Sequence, residues 1–146
     1  RVSGPMGTAY LRAQHQGPML CVAGGTGVAP VLSIVRGALS LGMLNPIHVY
    51  FGARTAADAY GLPLLEALAR EHEHLHVQLI VAADEDEAGY RVGLVTDAVA
   101  ADWRDLTGWR VYLCGPPPLV EAGVFLARQR GVDTDHIHAD AFYSSG

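Results

Sequence analysis

Lysine is absent from this sequence of 146 residues, since all ten basic residues are arginines. A phosphate-binding P-loop requires a GK[ST] element, so the missing lysine excludes that class of nucleotide site. Only two cysteines occur, Cys21 and Cys114, and neither belongs to a CxxC pair. This chain alone therefore supplies no ligand set for a zinc ribbon or an iron–sulfur cluster. We expect both thiols to be reduced and the protein to be cytoplasmic.

Long apolar runs and positive charge are also missing. No stretch approaches the roughly 18 apolar residues of a membrane-spanning helix, and we expect no membrane partner. The net charge of −5 disfavours a general nucleic-acid surface. Half of the residues are apolar, which is enough for a packed core. The chain starts at Arg1 rather than at Met, and we expect it to be a piece of a longer protein.

Apolar runs alternate with segments of helical spacing along the chain. The pattern predicts strands over 18–23, 46–52, 75–83, 109–115 and 136–142. It predicts a helix after the glycines at 24–27 that stops at Gly42, helices around Leu62–Leu68 and over 94–103, and a last helix opened by the prolines at 116–118. The segment 84–93 is predicted to be a charged loop. Such alternation is typical of an α/β fold. We therefore expect a Rossmann-like, doubly wound, parallel sheet of five strands.

The stretch CVAGGTGVAP joins the first predicted strand to the first helix. Gly24, Gly25 and Gly27 leave the backbone bare, and Thr26 adds a hydroxyl donor. Unpaired N–H groups at the start of a helix near Val28 would complete an anion site that suits a pyrophosphate. A tight strand-to-helix turn without any ligand explains the glycines equally well at this point.

A second stretch with the same layout follows a later strand. Cys114, Gly115, Pro116 and Pro117 place small or rigid residues at its end. Ligands of doubly wound sheets bind beyond the carboxyl ends of the strands, so both stretches are expected to face one crevice. Cys114 is either a thiol in that crevice or a buried hydrophobe. No histidine partner can be named for it, which disfavours a thiolate nucleophile.

The remaining conspicuous side chains are histidines and tryptophans. HEHLH, at 72–76, has neither the HExxH pattern nor a shared helical face, so we interpret it as a solvated turn. HIH, at 136–138, is interpreted as a pair of surface or edge residues. Trp103 and Trp109 are expected to be packing residues around the third crossover.

Four motifs in this order carry a family resemblance: GPMLCVAGGTGVAPVLSIV, YFGAR, YLCGPPPLVEAG and DAF. The chain resembles the pyridine-nucleotide domain of the ferredoxin–NADP reductase superfamily. It is similar in particular to the reductase components of naphthalene-type aromatic ring-hydroxylating dioxygenases. The resemblance implies that residues 1–16 are the end of a preceding FAD-binding barrel with its linker, and that 17–146 form the NAD(P)-binding domain. A [2Fe–2S] domain is implied for the full-length protein.

The resemblance also implies roles for individual residues on the adenosine side of the nucleotide. Gly25, Thr26 and Gly27 would cradle the pyrophosphate, and Pro30 would stiffen the turn into the helix. Arg54 would reach the adenosine, by pairing with a phosphate or lying on the adenine. Asp58 would instead accept a ribose hydroxyl. Because both residues occur, the choice between NADH and NADPH stays open.

On the nicotinamide side, Cys114, Gly115 and Pro116 would line the pocket. Cys114 would lie near the carbon that gives up hydride and act by placement. Asp140 matches an acidic position near the same site. Phe142 corresponds to a terminal aromatic that covers the flavin, although ordinary core packing also explains it.

The implied function is electron transfer from NAD(P)H through FAD to an iron–sulfur centre, and onward to a ferredoxin or oxygenase component. This chain would supply the nucleotide domain and by itself be inactive. Two alternatives remain: a nucleotide-binding module without turnover, and the reductase domain of a flavohaemoglobin or phenol hydroxylase reductase. Cys114 and Phe142 favour the enzyme, because a pure binder needs neither.

Overall fold

Strands and helices alternate in the computed structural model, which describes residues 17–25, 28–55, 59–82 and 91–141. The strands, in chain order, are β1 (Met19–Gly24), β2 (Ile47–Ala53), β3 (Leu75–Val81), β4 (Arg91–Val92), β5 (Arg110–Gly115) and β6 (Ile137–Ala141). The α-helices are α1 (Val28–Ser40), α2 (Leu62–Glu71), α3 (Val95–Asp102) and α4 (Pro117–Gln129). A short 3-10 helix, Thr134–His136, precedes β6.

The strands form one parallel sheet in the order β4-β3-β2-β1-β5-β6. One face packs against α1 and α2, and the other packs against α3 and α4. This arrangement confirms the doubly wound parallel α/β fold. The chain progresses from β1 to β4 on one side and from β5 to β6 on the other. The order of the strands therefore reverses between β1 and β5.

The sheet has one strand more than the five expected from the sequence. The additional strand, β4, consists of two residues that the sequence placed in the charged loop 84–93. It pairs with the end of β3, where Ile80 and Val81 lie opposite Arg91 and Val92. Two residues are too few to show any alternation of apolar and polar side chains, so the pattern could not reveal this strand.

Burial on both faces explains why the central strands are continuous apolar runs. All six residues of β1 are buried. Side chains at alternate positions go to opposite faces of the sheet. Cys21 and Ala23 accordingly pack beneath α1 and α2, whereas Leu20 and Val22 pack beneath α3 and α4.

Two of the helices end in the same glycine-dependent way. After α1, Met43 donates its N–H to the Ala38 carbonyl and Gly42 donates to the Leu39 carbonyl, with Gly42 at φ +72°. These bonds form a Schellman motif, whose left-handed residue is usually glycine. Gly131, at φ +98°, occupies the same position after α4. The sequence-based prediction that Gly42 ends the first helix is therefore confirmed.

An aromatic cluster lies on the α3/α4 face near the amino ends of the strands. The rings of Trp103 and Trp109 are 4.6 Å apart, and His48 lies 4.9 Å from Trp103. His48 also stacks on His76 at 4.7 Å. Trp103 and Trp109 are therefore packing residues, as expected.

The interpretation of HIH as surface or edge residues agrees with the position of His138 on the edge strand β6, but His138 is buried there. Its Nε2 atom lies 2.8 Å from Nη1 of Arg110. Since a guanidinium only donates, Nε2 is the acceptor and the ring proton lies on Nδ1. The ring also lies 5.3 Å from that of Tyr112. Arg110 is distant in sequence, which is why the local pattern did not reveal this pairing.

Within the described ranges, the helices are all too short or too polar to cross a lipid bilayer.

Two adjacent leucines of α2 test the packing directly. Leu65 is fully buried against the sheet, whereas Leu64 is 48% exposed. We expect Leu65→Ala to lower the free energy of unfolding by about 2–5 kcal/mol, because it leaves a cavity in the core. Leu64→Ala removes the same atoms from a largely solvated position and is expected to change it by less than about 1 kcal/mol. Urea unfolding followed by circular dichroism measures both, and equal losses would contradict this packing of α2.

Candidate functional site

A cleft of about 420 Å³ opens at the carboxyl ends of the strands. Its walls come from the ends of β1, β2 and β3, the segment 93–95, and the start of α4. The reversal of strand order between β1 and β5 lies at this edge of the sheet. Ligands of open α/β sheets bind at such a point. The crevice expected beyond the two glycine-containing stretches is therefore present.

The ends of β1 and β5 touch through bare backbone. A Cβ atom on Gly115 would lie 3.1 Å from the carbonyl oxygen of Gly24 and 3.2 Å from its nitrogen. Gly25, the next residue, has φ +58°, a conformation that side chains disfavour. The ends of β1 and β5 thus approach this closely because Gly115 carries no side chain, whereas a Cβ on Gly24 would meet Leu119 of α4 at 2.6 Å.

Four of the predicted binding residues lie on the wall of this cleft: Gly24, Gly25, Arg54 and Pro116. Arg54 directly follows β2 and is exposed. Another four of the predicted residues, Thr26, Gly27, Asp58 and Phe142, lie outside the described residues.

Prolines occupy the first turns of the two helices that begin at the site. Pro30 is the third residue of α1 and is buried. Pro117 is the first residue of α4, and Pro116 precedes it with φ −62°. The first turn of a helix has no partners for its N–H groups, so proline costs little there. The prediction that prolines open the last helix is confirmed.

Cys114 is fully buried in β5 and packs with the residues beneath α1 and α2. Its side chain does not contribute to the wall of the 420 Å³ cleft, which lies on the α3/α4 face. Burial, together with the nearby Asp140 carboxylate, raises the pKa of the Cys114 thiol to about 12. The side chain is therefore a neutral thiol at physiological pH and is not an activated nucleophile.

Asp140 lies beside Cys114, because β5 and β6 pair with these two residues opposite each other. The carboxylate is 8% exposed, and its Oδ2 atom has no hydrogen-bond partner among the described residues. Burial raises the pKa of Asp140 above its ordinary value. Burying a carboxylate that lacks a partner lowers the free energy of unfolding. The ionised form of Asp140 therefore destabilises the folded state.

The predicted site residues therefore fall into two groups. Gly24, Gly25, Arg54 and Pro116 line the cleft on the α3/α4 side, whereas Cys114 and Asp140 form a buried pair on β5 and β6, with Cys114 on the opposite face. The bare contact between Gly24 and Gly115 lies where the two groups meet.

The sequence did not identify eight residues of the cleft wall: Gly52, Ala53, Ile80, Ala82, Gly93, Leu94, Val95 and Leu119. A Cβ atom on Gly52 would lie 3.0 Å from the Cβ of Val95, so the missing side chain lets α3 approach β2. Leu94 is 63% exposed. The motif YFGAR indicated this part of the wall through Arg54, whereas nothing in the sequence indicates that residues 93 and 94 reach the end of β2.

Comparison with known proteins identifies relatives along the whole chain. The sequence model of the oxidoreductase NAD-binding domain family matches residues 21–124. The chain is 58% identical over its full length to the ferredoxin–NAD(P)(+) reductase component of the naphthalene 1,2-dioxygenase/salicylate 5-hydroxylase systems of a Ralstonia species. It is 53% identical over its full length to the corresponding naphthalene 1,2-dioxygenase component of Pseudomonas putida. It covers 44% of each of these relatives.

A solved structure shares the fold closely. The crystal structure of a cytochrome P450 reductase from Amycolatopsis superimposes with a TM-score of 0.87 at 36% sequence identity. The match covers 98% of this chain and 44% of the other. This chain thus spans less than half the length of the relatives it matches.

The bare contact of the two strand ends gives a first prediction for the site. We expect Gly115→Ala to lower the free energy of unfolding by about 1–3 kcal/mol, because its methyl group meets the Gly24 backbone. It should also weaken nucleotide binding, measured by titration calorimetry. Gly108→Ala is the control, since a Cβ there meets nothing within 4 Å although φ is +86°. Unchanged binding by Gly115→Ala would show that the two strand ends need not touch.

The buried carboxylate gives a second prediction. Because the pKa of Asp140 is raised on folding, the folded state binds the proton more tightly, and stability falls as pH rises through the window above the unfolded value of about 3.9. Asp140→Asn removes this cost, so we expect a higher urea midpoint than wild type at pH 7. The gain should vanish as pH falls to about 3.9. A lower midpoint at pH 7 would contradict the burial of this charge.

Proposed function

Because this chain belongs to the oxidoreductase NAD-binding domain family, we propose that its cleft binds NAD(P)H for a flavin-dependent reductase. In this proposal the longer protein passes electrons from NAD(P)H through FAD to an iron–sulfur centre or ferredoxin of an aromatic ring-hydroxylating dioxygenase system. The two reductase components named above, at 58% and 53% identity, support this choice within the family.

One observation carries the binding part of the proposal: the side-chain-free contact of Gly24 with Gly115 at the reversal of strand order. A pyrophosphate needs close access to backbone N–H groups. Such close packing of the strand ends needs both glycines, because a Cβ on Gly115 would meet the Gly24 backbone and one on Gly24 would meet Leu119. The start of α1 adds free N–H groups and the positive end of the helix dipole. The residues present thus suit a dinucleotide.

We assign the adenosine half of the nucleotide to the cleft on the α3/α4 side. Arg54 is exposed on its wall, where a guanidinium can contact a phosphate or the adenine ring. Pyrophosphate contacts from Thr26 and Gly27, and a ribose contact from Asp58, remain predictions. Use of both NADH and NADPH is part of the proposal, and Arg54 is the residue expected to help with the additional phosphate of NADPH.

We assign the nicotinamide half to the neighbourhood of Cys114 and Asp140. A thiol with a pKa near 12 stays neutral, so Cys114 acts by its shape and position and forms no covalent bond. Asp140 supplies a buried carboxyl group next to it. Phe142, two residues later, is assigned to cover the flavin ring.

FAD would be held mainly by a preceding domain of the same protein, and when bound it supplies the step from hydride to single electrons. The length of the relatives leaves room for such a domain and for a [2Fe–2S] domain. The expected partners are this FAD-binding domain and a ferredoxin or oxygenase component. A cytoplasmic location is included, since both cysteines are unpaired thiols.

Stopped-flow absorbance of the full-length, flavin-loaded protein tests the proposal. Mixing with NADH or NADPH should bleach the absorbance of the oxidised flavin within the dead time or shortly after it. The ratio of the rates of flavin reduction by NADH and by NADPH measures the preference between the two nucleotides. Flavin that stays oxidised with both nucleotides would reject the reductase. Binding without bleaching would indicate a nucleotide-binding module, and efficient electron delivery to haem alone would indicate a flavohaemoglobin-type reductase.

Cys114→Ala in the same protein tests the role of the thiol. We expect the rate of flavin reduction at saturating nucleotide to fall about tenfold or more, because the reacting carbon loses its placement. The Kd of the nucleotide should change less than about twofold, since Cys114 lies outside the cleft wall. Equal losses in rate and affinity would mean that the thiol only shapes the pocket.

A further inference from the structure

An ion pair joins the two ends of the chain segment 91–102, which lies beside the cleft. Nη1 of Arg91, the first residue of β4, lies 2.7 Å from Oδ2 of Asp102, the last residue of α3. The chain between them contains Gly93, Leu94 and Val95, which form one wall of the cleft. The position of this wall therefore depends on the contacts that hold the two ends of this segment.

Hydrogen bonds tie the ion pair to the central strands. The hydroxyl of Tyr50, on β2, donates to the same Oδ2 of Asp102 at 2.6 Å. Nε1 of Trp103 donates to that hydroxyl at 2.9 Å. Nη1 of Arg91 also donates to Oε1 of Gln78, on β3, at 2.8 Å. We call the group formed by Arg91, Asp102, Tyr50 and Gln78 the clamp.

The position of Asp102 at the carboxyl end of α3 gives the hydrogen bonds of the clamp an electrostatic role. A carboxylate at the carboxyl end of a helix faces the negative end of the helix dipole, and α3 has no basic residue in its last turn. Arg91 and the Tyr50 hydroxyl offset this by hydrogen-bonding to the carboxylate. Both contacts hold the pKa of Asp102 below its ordinary range, the Arg91 contact having the larger effect.

Among the described residues, the other contacts of the wall are those of β4 and of the buried Val95, which packs against Gly52 of β2. Strand β4 has only two residues, and the N–H of Gly93 donates to the Val81 carbonyl at 2.8 Å. Gly93 has φ +133°, a conformation open mainly to glycine. Leu94 follows it with most of its side chain exposed at the cleft. Because the strand beside it is so short, the wall needs other contacts, such as the Arg91–Asp102 ion pair, to keep a fixed position.

We propose that Arg91 and Asp102 are positioning residues for the nucleotide, which hold the Gly93–Leu94 wall against its adenosine half. This inference rests on the proposed function and adds residues that do not touch the reacting atoms. Cys114 and Asp140 lie on β5 and β6, and the clamp ties together β2, β3, β4 and α3. Loss of the clamp should therefore weaken binding and leave the rate at saturation unchanged.

The test uses the full-length, flavin-loaded reductase with the variants Asp102→Asn and Arg91→Leu. We expect the KM for NADH and the Kd of ADP-ribose to rise about five- to tenfold, which corresponds to roughly 1–1.4 kcal/mol of binding free energy. The rate of flavin reduction at saturation should stay within about twofold of wild type. Arg91→Lys keeps the positive charge and should restore most of the affinity.

Asp105→Asn is the matched control, because it removes the same charge from a carboxylate whose hydrogen bonds within the described part of the chain go to its local neighbour Thr107. Its KM and Kd should equal those of wild type. Tyr50→Phe removes one bond from the clamp without changing the volume of the core, and it should raise KM less than Asp102→Asn does. This milder variant and Arg91→Lys keep the test decisive if Asp102→Asn folds poorly.

Three results would overturn the inference. The first is wild-type affinity for ADP-ribose in both clamp variants, and the second is a loss of rate at saturation with unchanged KM. An Arg91→Lys protein that regains the wild-type melting temperature but not the wild-type KM would also overturn it. Failure of the wild-type protein to reduce its flavin with NADH and NADPH would instead reject the proposed function itself.

Discussion

The parallel pairing of β1 with β5 is the constraint on which the rest of the site depends. Most of the chain separates these strands in sequence, yet Gly24 and Gly115 bring their ends into backbone contact. α1 follows β1 and packs on one face, whereas α4 follows β5 and packs on the other. The two helices diverge at this point and leave a crevice whose base is backbone without side chains. The crevice is thus a consequence of topology, and glycines such as Gly24 and Gly115 permit the close packing at its base.

The proposed assignment places nucleotide binding and chemistry on opposite faces of the sheet. The cleft with Arg54 lies on the α3/α4 side, whereas the Cys114 thiol is buried on the α1/α2 side next to Asp140. A ligand that reaches both must cross the ends of β1 and β5, where side chains are absent. An extended dinucleotide has the required form, with a compact anionic centre and an aromatic group at each end.

The alternation of elements could be predicted because strands buried on both faces are continuous apolar runs. Gly42 and Pro117 marked helix boundaries for reasons that act within a few residues. Tertiary pairings could not be predicted in this way: β4 has two residues, and His138 finds Arg110 across the sheet. The sequence named the strand ends of the site. It missed the wall at Gly93 and its support at Asp102, whose partners are set only by the folded sheet.

Two carboxylates of this domain differ in their hydrogen bonding and burial. Asp102 receives hydrogen bonds from Arg91 and Tyr50, which offset the unfavourable end of α3. Asp140 is more deeply buried, and its Oδ2 has no partner among the described residues. A fold retains such a cost where another requirement outweighs stability, and functional sites are the usual places. Asp140 lies beside the Cys114 thiol on the edge strand of the sheet, so the proposed nicotinamide end of the site coincides with the carboxylate that lacks such compensation.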